Sequence, residues 1–293
     1  MKSTKITAKS FIEAFGNFIK EHNINIYRIA AMTNDEKAEV MTLHDCNPCQ
    51  NSYSVSKFFT LTAVGLLWDE GLIKTDEKLT DIFGELCPTD MPCEWNNRTV
   101  EMAIKHHCGL PAGYLDIDCQ DTLEFGNDYL SYVLSTTLND PSEFSYTDAE
   151  FYLLARAVSI RSGKPMPEYL WDKLFGKLEF REVAWSCCPK NHPMGATGLY
   201  IRTEDMVKLG ALYLNKGMYN GHRILSEKWI DTVIEREYLY PFVAHGYGHG
   251  GMRGQMLAVF PKHNLAVAWH GFHDESESVN AWIDNFLSKN ILF

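Results

Sequence analysis

Residues 52–57 read SYSVSK and run directly into FFTLTAVGLLWDEG (58–71), an apolar helical stretch that stops at Gly71. A serine and a lysine at i and i+3 share one helix face, so a helix from about Ser54 to Glu70 puts Ser54 and Lys57 within reach of each other. A hydroxyl is a weak nucleophile until a neighbouring base removes its proton. A lysine half-buried over an apolar helix has its charged form disfavoured, which suits it to that task. The same letters also fit a capping serine and a surface cation. Ser-x-x-Lys is a short pattern, and the remaining sequence has to separate the two readings.

Composition narrows the field first. The 293 residues are 45% hydrophobic and 13% aromatic, enough for one large core or two joined lobes. A net charge of −11 argues against a nucleic-acid partner, because phosphate binding needs clustered Lys and Arg. No apolar run is long enough to span a bilayer, so no membrane partner is expected. The amino-terminal stretch MKSTKITAKSFIEAFGNFIKEHN has no apolar signal block. It predicts an amphipathic helix with Phe11, Ile12, Phe15, Phe18 and Ile19 on one side. Read as a native start, it implies a cytoplasmic protein, and the eight cysteines are then expected as free thiols. Cys46 and Cys49 have metal-knuckle spacing, and Cys187 and Cys188 are adjacent, but no second C-x-x-C completes a zinc site. His245, His249, His270 and His273 lack an H-E-x-x-H helix, so neither metal nor cofactor is expected.

Strands are predicted over INIYRIAAMT (24–33) and KAEVMTLH (37–44), joined by a turn at Asn34-Asp35-Glu36. From Gly71 to about residue 190 the chain reads as mostly helical, with turns at Pro88, Pro92, Pro111, Pro141 and Pro165. TDAEFYLLARAVSIRSG (147–163) reads as a helix closed by Gly163. TEDMVKLGALYLNKG (203–217) reads as another, with Thr203 as cap and Gly217 at the exit. GQMLAVFP (254–261) and NLAVAWHG (264–271) read as the closing strands. Strands at both ends with helices between them predict an α+β fold. Residues 1–75 and 190–293 would make an antiparallel sheet lobe flanked by helices, and 76–189 an inserted helical lobe, with the active site between them.

Five further stretches then favour chemistry at Ser54. FSYTDAEFYLLARAV (144–158) holds Tyr146-Thr147-Asp148 just before a helix, and GYGHGGMRGQMLAVFP (246–261) sets His249-Gly250-Gly251 at the start of a late strand. HHCGLPAG (106–113), GATGLYIRTEDMVKLGALYLNKG (195–217) and YNGHRILSEKWI (219–230) fill the intervals. In this order, from about residue 40 onward, the chain resembles the serine β-lactamase-like hydrolases. These include class C β-lactamases, D,D-peptidases, and the related esterases and aminohexanoate-oligomer hydrolases. The late segment looks closest to the esterase and amide-hydrolase members.

The resemblance implies a β-lactamase/transpeptidase-like fold and an acyl-enzyme on Ser54, with Lys57 and Tyr146 carrying protons. It implies that backbone N–H groups of Ser54 and Met252 receive the developing oxyanion, near His249, Gly250 and Gly251. It also implies that Asp148 faces the acyl pocket near Lys57, against the plainer reading of Asp148 as a helix cap. Two departures stand out. His249-Gly250-Gly251 replaces Lys-Thr-Gly, removing a fixed positive charge and a hydroxyl. Asp148 replaces the amide of Tyr-x-Asn with an acid. Both disfavour a negatively charged β-lactam, with Arg253 the nearest compensating cation. The expected activity is hydrolysis of an ester or amide in a small-molecule or peptide-like acyl substrate. β-Lactamase or D,D-peptidase action and a catalytically silent binding protein are the alternatives.

Overall fold

The computed structural model describes residues 6–34 and 37–289; of the expected turn at 34–36, Asp35 and Glu36 lie outside the described residues. The chain runs α1 (Ala8–Glu21), β1 (Ile26–Met32), β2 (Glu39–Thr42), β3 (Cys49–Asn51) and α2 (Ser56–Asp69). Short helices α3 (Leu79–Phe83), α4 (Val100–Ile104) and α5 (Tyr129–Leu134) follow. Next come α6 (Ala149–Ser162), α7 (Met166–Leu170), β4 (Val183–Trp185), β5 (Leu199–Arg202) and α8 (Thr203–Leu214). The chain closes with β6 (Met218–Tyr219), β7 (His222–Arg223), α9 (Glu227–Glu235), β8 (Tyr240–Phe242), β9 (Gly246–Gly251), β10 (Gln255–Phe260), β11 (Leu265–Gly271) and α10 (Ser276–Ser288). Among the described residues, no helix is long and apolar enough to cross a membrane.

The chain divides into two compact units. One comprises Met1–Phe58, Leu174–Ala184 and Leu199–Phe293; the other comprises Phe59–Lys173 and Trp185–Gly198. In the first unit an antiparallel sheet has the order β2-β1-β11-β10-β9-β8. Strands from the two ends of the sequence therefore lie side by side, with Ala30 opposite Ala268. β11 is buried along its whole length, as a central strand covered on both faces must be. Its Leu265, Val267 and Trp269 join Phe11 and Phe15 of α1 and Ile283 of α10 in one apolar cluster. Burying each such side chain stabilises the fold by about 1.5–3 kcal/mol. On the opposite face Ala266 lies under α8, where a Cβ added at Gly210 would come within 3.1 Å of the Ala266 Cβ. The small residues thus set how closely that helix packs.

In the second unit α6 is buried without a break from Ala149 to Val158, the pattern of a helix enclosed on every side. Gly195, with φ +71°, brings its loop onto α6: a Cβ there would sit 2.5 Å from the Phe151 carbonyl oxygen. Thr60 of α2 donates to the Gly195 carbonyl at 2.7 Å, which ties α2 to the same loop.

Three local expectations need correction. The helix expected from Ser54 begins at Ser56, and Ser54 lies in a preceding 3₁₀ turn, Tyr53–Val55. Thr203 is the first residue of α8 rather than its cap: Arg202 holds the cap position, and the Thr203 hydroxyl meets His270 Nδ1 at 2.8 Å. His249-Gly250-Gly251, expected at the start of a late strand, instead end β9, which β8 pairs as far as Gly248. Pro241 sits on β8 at the margin of the sheet, where a missing N–H costs no ladder bond.

Candidate active site

The Ser54 turn is shaped by a strand nearly 150 residues further along the chain. Leu199 at the head of β5 accepts from both the N–H and the hydroxyl of Ser52, at 2.8 and 2.5 Å. The Leu199 N–H donates to Ser56 Oγ at 3.2 Å, and that hydroxyl donates to the Tyr53 carbonyl at 2.5 Å. Tyr53 is held at φ +46°, a left-handed conformation that costs a side-chain-bearing residue on the order of 1 kcal/mol. Asn51 Oδ1 accepts the Tyr53 N–H at 2.9 Å and helps fix it there. Of the three serines in SYSVSK, two are thus committed to holding the turn. Ser54 is the one whose Oγ meets an amine: Lys57 Nζ lies 3.2 Å away. Lys57 is fully buried, which removes the surface-cation reading. Both side chains sit at the amino end of α2, where N–H groups and the helix dipole favour negative charge.

The end of β9 abuts this turn. A Cβ at Gly251 would come 2.5 Å from the Ser52 carbonyl oxygen and 3.2 Å from the Tyr53 Cβ, so only glycine allows the approach. Gly250 lacks that constraint, since its added Cβ would first meet Met256 Cε at 3.5 Å. His249 is buried; its Nδ1 lies 2.6 Å from the Gly250 carbonyl oxygen and its ring stands edge-on to Tyr240 at 5.2 Å. Met252 opens the turn that leads into β10. Ser54, Lys57, His249, Gly250, Gly251 and Met252 therefore belong to one structural unit.

Tyr146, Thr147 and Asp148 belong to the other unit, directly before α6. The Tyr146 ring packs on His106 at 4.6 Å, and its carbonyl accepts the Gly113 N–H at 2.8 Å. Beneath it lies a buried polar network that the sequence reading missed. Glu150 meets His106 Nδ1 at 3.1 Å, accepts the Cys108 N–H at 3.3 Å and accepts the Thr147 hydroxyl. The available signal was Thr147-x-x-Glu150, a capping-box spacing. Asp148 occupies the cap position of α6, yet its side chain makes no capping hydrogen bond. Its carboxylate instead lies within 4.8 Å of those of Asp116 and Asp118. The Thr197 hydroxyl donates to Asp118 at 2.5 Å. These two aspartates sit in a loop whose role the sequence did not reveal.

The late histidines do not gather: among the described residues, the trio of ligand-type side chains close enough to share an ion is Asp116, Asp118 and Asp148. His270 is fully buried on β11, and burial, assisted by the Arg28 charge, pushes it down to about 3. Burial also lowers His273, with Glu275 opposing. All eight cysteines are free thiols, and burial raises Cys46, Cys49, Cys87, Cys108 and Cys187 above the usual thiol range. A thiol raised in this way is little ionised near neutral pH and is a poor nucleophile.

The profile of the beta-lactamase family matches residues 50–282, a span that holds every candidate site residue. The chain belongs to the beta-lactamase family. Among curated proteins, this beta-lactamase-family chain is similar to a 6-aminohexanoate-dimer hydrolase of Paenarthrobacter ureafaciens, with 24% identity over 259 residues, 79% of the chain. It spans 62% of the length of that relative. Among solved structures it resembles a penicillin-binding protein homolog from Caulobacter crescentus, with a TM-score of 0.72, 15% identity, and coverage of 96% of this chain and 99% of that one. It also resembles a beta-lactamase from Mycobacterium bovis, with a TM-score of 0.68, 14% identity, and coverage of 94% and 100%. These likenesses establish the β-lactamase/transpeptidase-like fold, with its helices and antiparallel sheet.

Proposed function

We propose that the protein is a serine hydrolase that cleaves an ester or amide through an acyl-enzyme on Ser54. The observation that carries this reading is the buried Lys57 amine 3.2 Å from Ser54 Oγ, beside two serines already committed to the backbone. As a neutral amine, Lys57 takes the Ser54 proton while Oγ bonds to the acyl carbon. The carbonyl oxygen gathers the negative charge, and the N–H groups of Ser54 and Met252 are its assigned donors. Collapse breaks the bond to the leaving alkoxide or amine, which takes a proton from Lys57 or Tyr146. Water then adds to the acyl carbon while its proton passes to Lys57 or Tyr146; the bond to Ser54 Oγ breaks, Oγ takes that proton back, and the acid leaves. No metal or cofactor is required for these steps.

The charge pattern favours one substrate type over another. Asp116, Asp118 and Asp148 gather carboxylates in the unit that carries Tyr146, and His249-Gly250-Gly251 supplies neither a fixed cation nor a hydroxyl. A neutral or cationic acyl substrate fits this pattern, whereas an anionic β-lactam does not. The name of the curated relative adds an amide of an amino acid to the candidates. A panel of p-nitrophenyl esters, 6-aminohexanoate dimer, nitrocefin and D-Ala-D-Ala peptides tests the proposal. Turnover of an ester or the amide by wild type and not by Ser54→Ala supports it. Turnover confined to nitrocefin or the D-Ala peptide would replace it, and no turnover would leave a binding protein.

A further inference from the structure

Gln255 is the first residue of β10 and is almost wholly buried. Its backbone pairs in register with Gly251, the last residue of β9. Its side-chain amide turns back over the three-residue connection Met252–Gly254. Nε2 donates to the Gly271 carbonyl at 2.6 Å and faces the carbonyls of Met252 and Arg253, both at 3.3 Å. Oε1 accepts the Gly271 N–H at 3.1 Å, which fixes the orientation of the amide. One N–H thus serves Gly271 while the other is shared by two carbonyls of the turn.

The connection needs such a brace. Arg253 and Gly254 are left-handed in succession, with φ of +61° and +81°. Arginine in that region costs on the order of 1 kcal/mol, so the conformation persists only where neighbours hold it. The Met252 N–H lies between two points that Gln255 grips: the paired Gly251 on one side and the Met252 carbonyl on the other. Trp269 Nε1 holds the Gly254 carbonyl at 2.8 Å and the His273 N–H holds that of Arg253 at 3.1 Å, but both act downstream of Met252.

We infer that Gln255 is a positioning residue for the oxyanion site: its amide fixes the direction of the Met252 N–H by clamping the peptide that follows it to the end of β11. This rests on the acyl-enzyme reading, and on Met252 as one of its two donors. A donor misdirected by about 1 Å loses much of its effect on the transition state without altering how substrate docks.

The test compares wild type, Gln255→Glu and Gln255→Met in the acylation of Ser54 by p-nitrophenyl acetate. Glutamate keeps the shape but, when ionised, sets an anion against carbonyl oxygens; protonation restores one donor. At pH 8 the Glu variant is expected to acylate at least about tenfold more slowly than wild type, with KM within about threefold. Its rate relative to wild type should recover several-fold at pH 5.5, while the Met variant stays slow at both pH values. Acylation at the wild-type rate in either variant overturns the inference, as does a Glu deficit that ignores pH. Should the Glu variant fail to fold, the Met variant decides by its rate. If wild type itself takes no acetyl group on Ser54, the underlying acyl-enzyme reading fails, and the inference with it.

Discussion

Gly251→Ala perturbs the close approach of β9 to the Ser54 turn. The new Cβ would lie 2.5 Å from the Ser52 carbonyl oxygen, against an ordinary contact of about 3.4 Å. The difference, about 0.9 Å, has to be made up by movement of the strand or the turn. Ser52 is pinned twice to Leu199, so the strand end should give way and carry Met252 with it. A displacement near 1 Å at a reacting centre costs about a hundredfold in rate. The overpacking itself should cost about 1–3 kcal/mol of stability. Gly250→Ala is the internal control, because its Cβ would meet nothing closer than a flexible methionine end at 3.5 Å, an ordinary contact. Single-turnover acylation by an activated ester, with thermal unfolding of each variant, separates the two effects. Equal acylation rates in the two folded variants would refute the argument that Gly251 exists for close approach.

Three further outcomes are expected. Lys57→Ala and Tyr146→Phe should each slow ester turnover by at least about a hundredfold, the usual worth of a positioned acid or base; near-normal turnover in Tyr146→Phe would mean that the Tyr-Thr-Asp match is accidental. Asp148→Asn removes one charge of the trio and should raise the nitrocefin-to-neutral-ester rate ratio about threefold to tenfold at low salt, less at high salt; an unchanged ratio would end the electrostatic explanation of substrate choice. His270, held down to about 3 by burial, stays neutral in the fold while the unfolded chain takes up a proton below about pH 6.5. The unfolded state then binds more protons, so stability should fall with pH below that point by up to about 1.4 kcal/mol per unit from this group. Urea unfolding from pH 7 to 4.5 should show a flatter decline in His270→Gln; an identical decline would assign the acid sensitivity elsewhere.

Periodic segments were legible in the sequence because their burial is local. Phe11, Ile12, Phe15, Phe18 and Ile19 of α1 are all buried as their spacing predicted, and β10, β11 and α6 fall where their patterns put them. What escaped was set by partners far away in the chain. The Ser54 turn replaces a first helical turn because Leu199 claims the hydroxyls on both sides of it. Thr203 forgoes capping because His270, 67 residues later, takes its hydroxyl. Glu150 and His106 meet across 44 residues, and Gln255 gave no local sign that its amide holds a turn. Motif order nominated the candidate site residues, while the groups that hold them in place left no such mark.

The central claim is tested most directly by mapping the acyl group. The protein is incubated with a p-nitrophenyl ester or a fluorophosphonate, quenched in acid and digested, and the peptides are weighed by mass spectrometry. A single adduct on Ser54 is expected, absent from a Ser54→Ala variant that remains folded, since a turn serine contributes at most about 1–2 kcal/mol. An adduct that persists in the Ala variant, or that maps to one of the cysteines, would contradict the assignment of Ser54 as nucleophile.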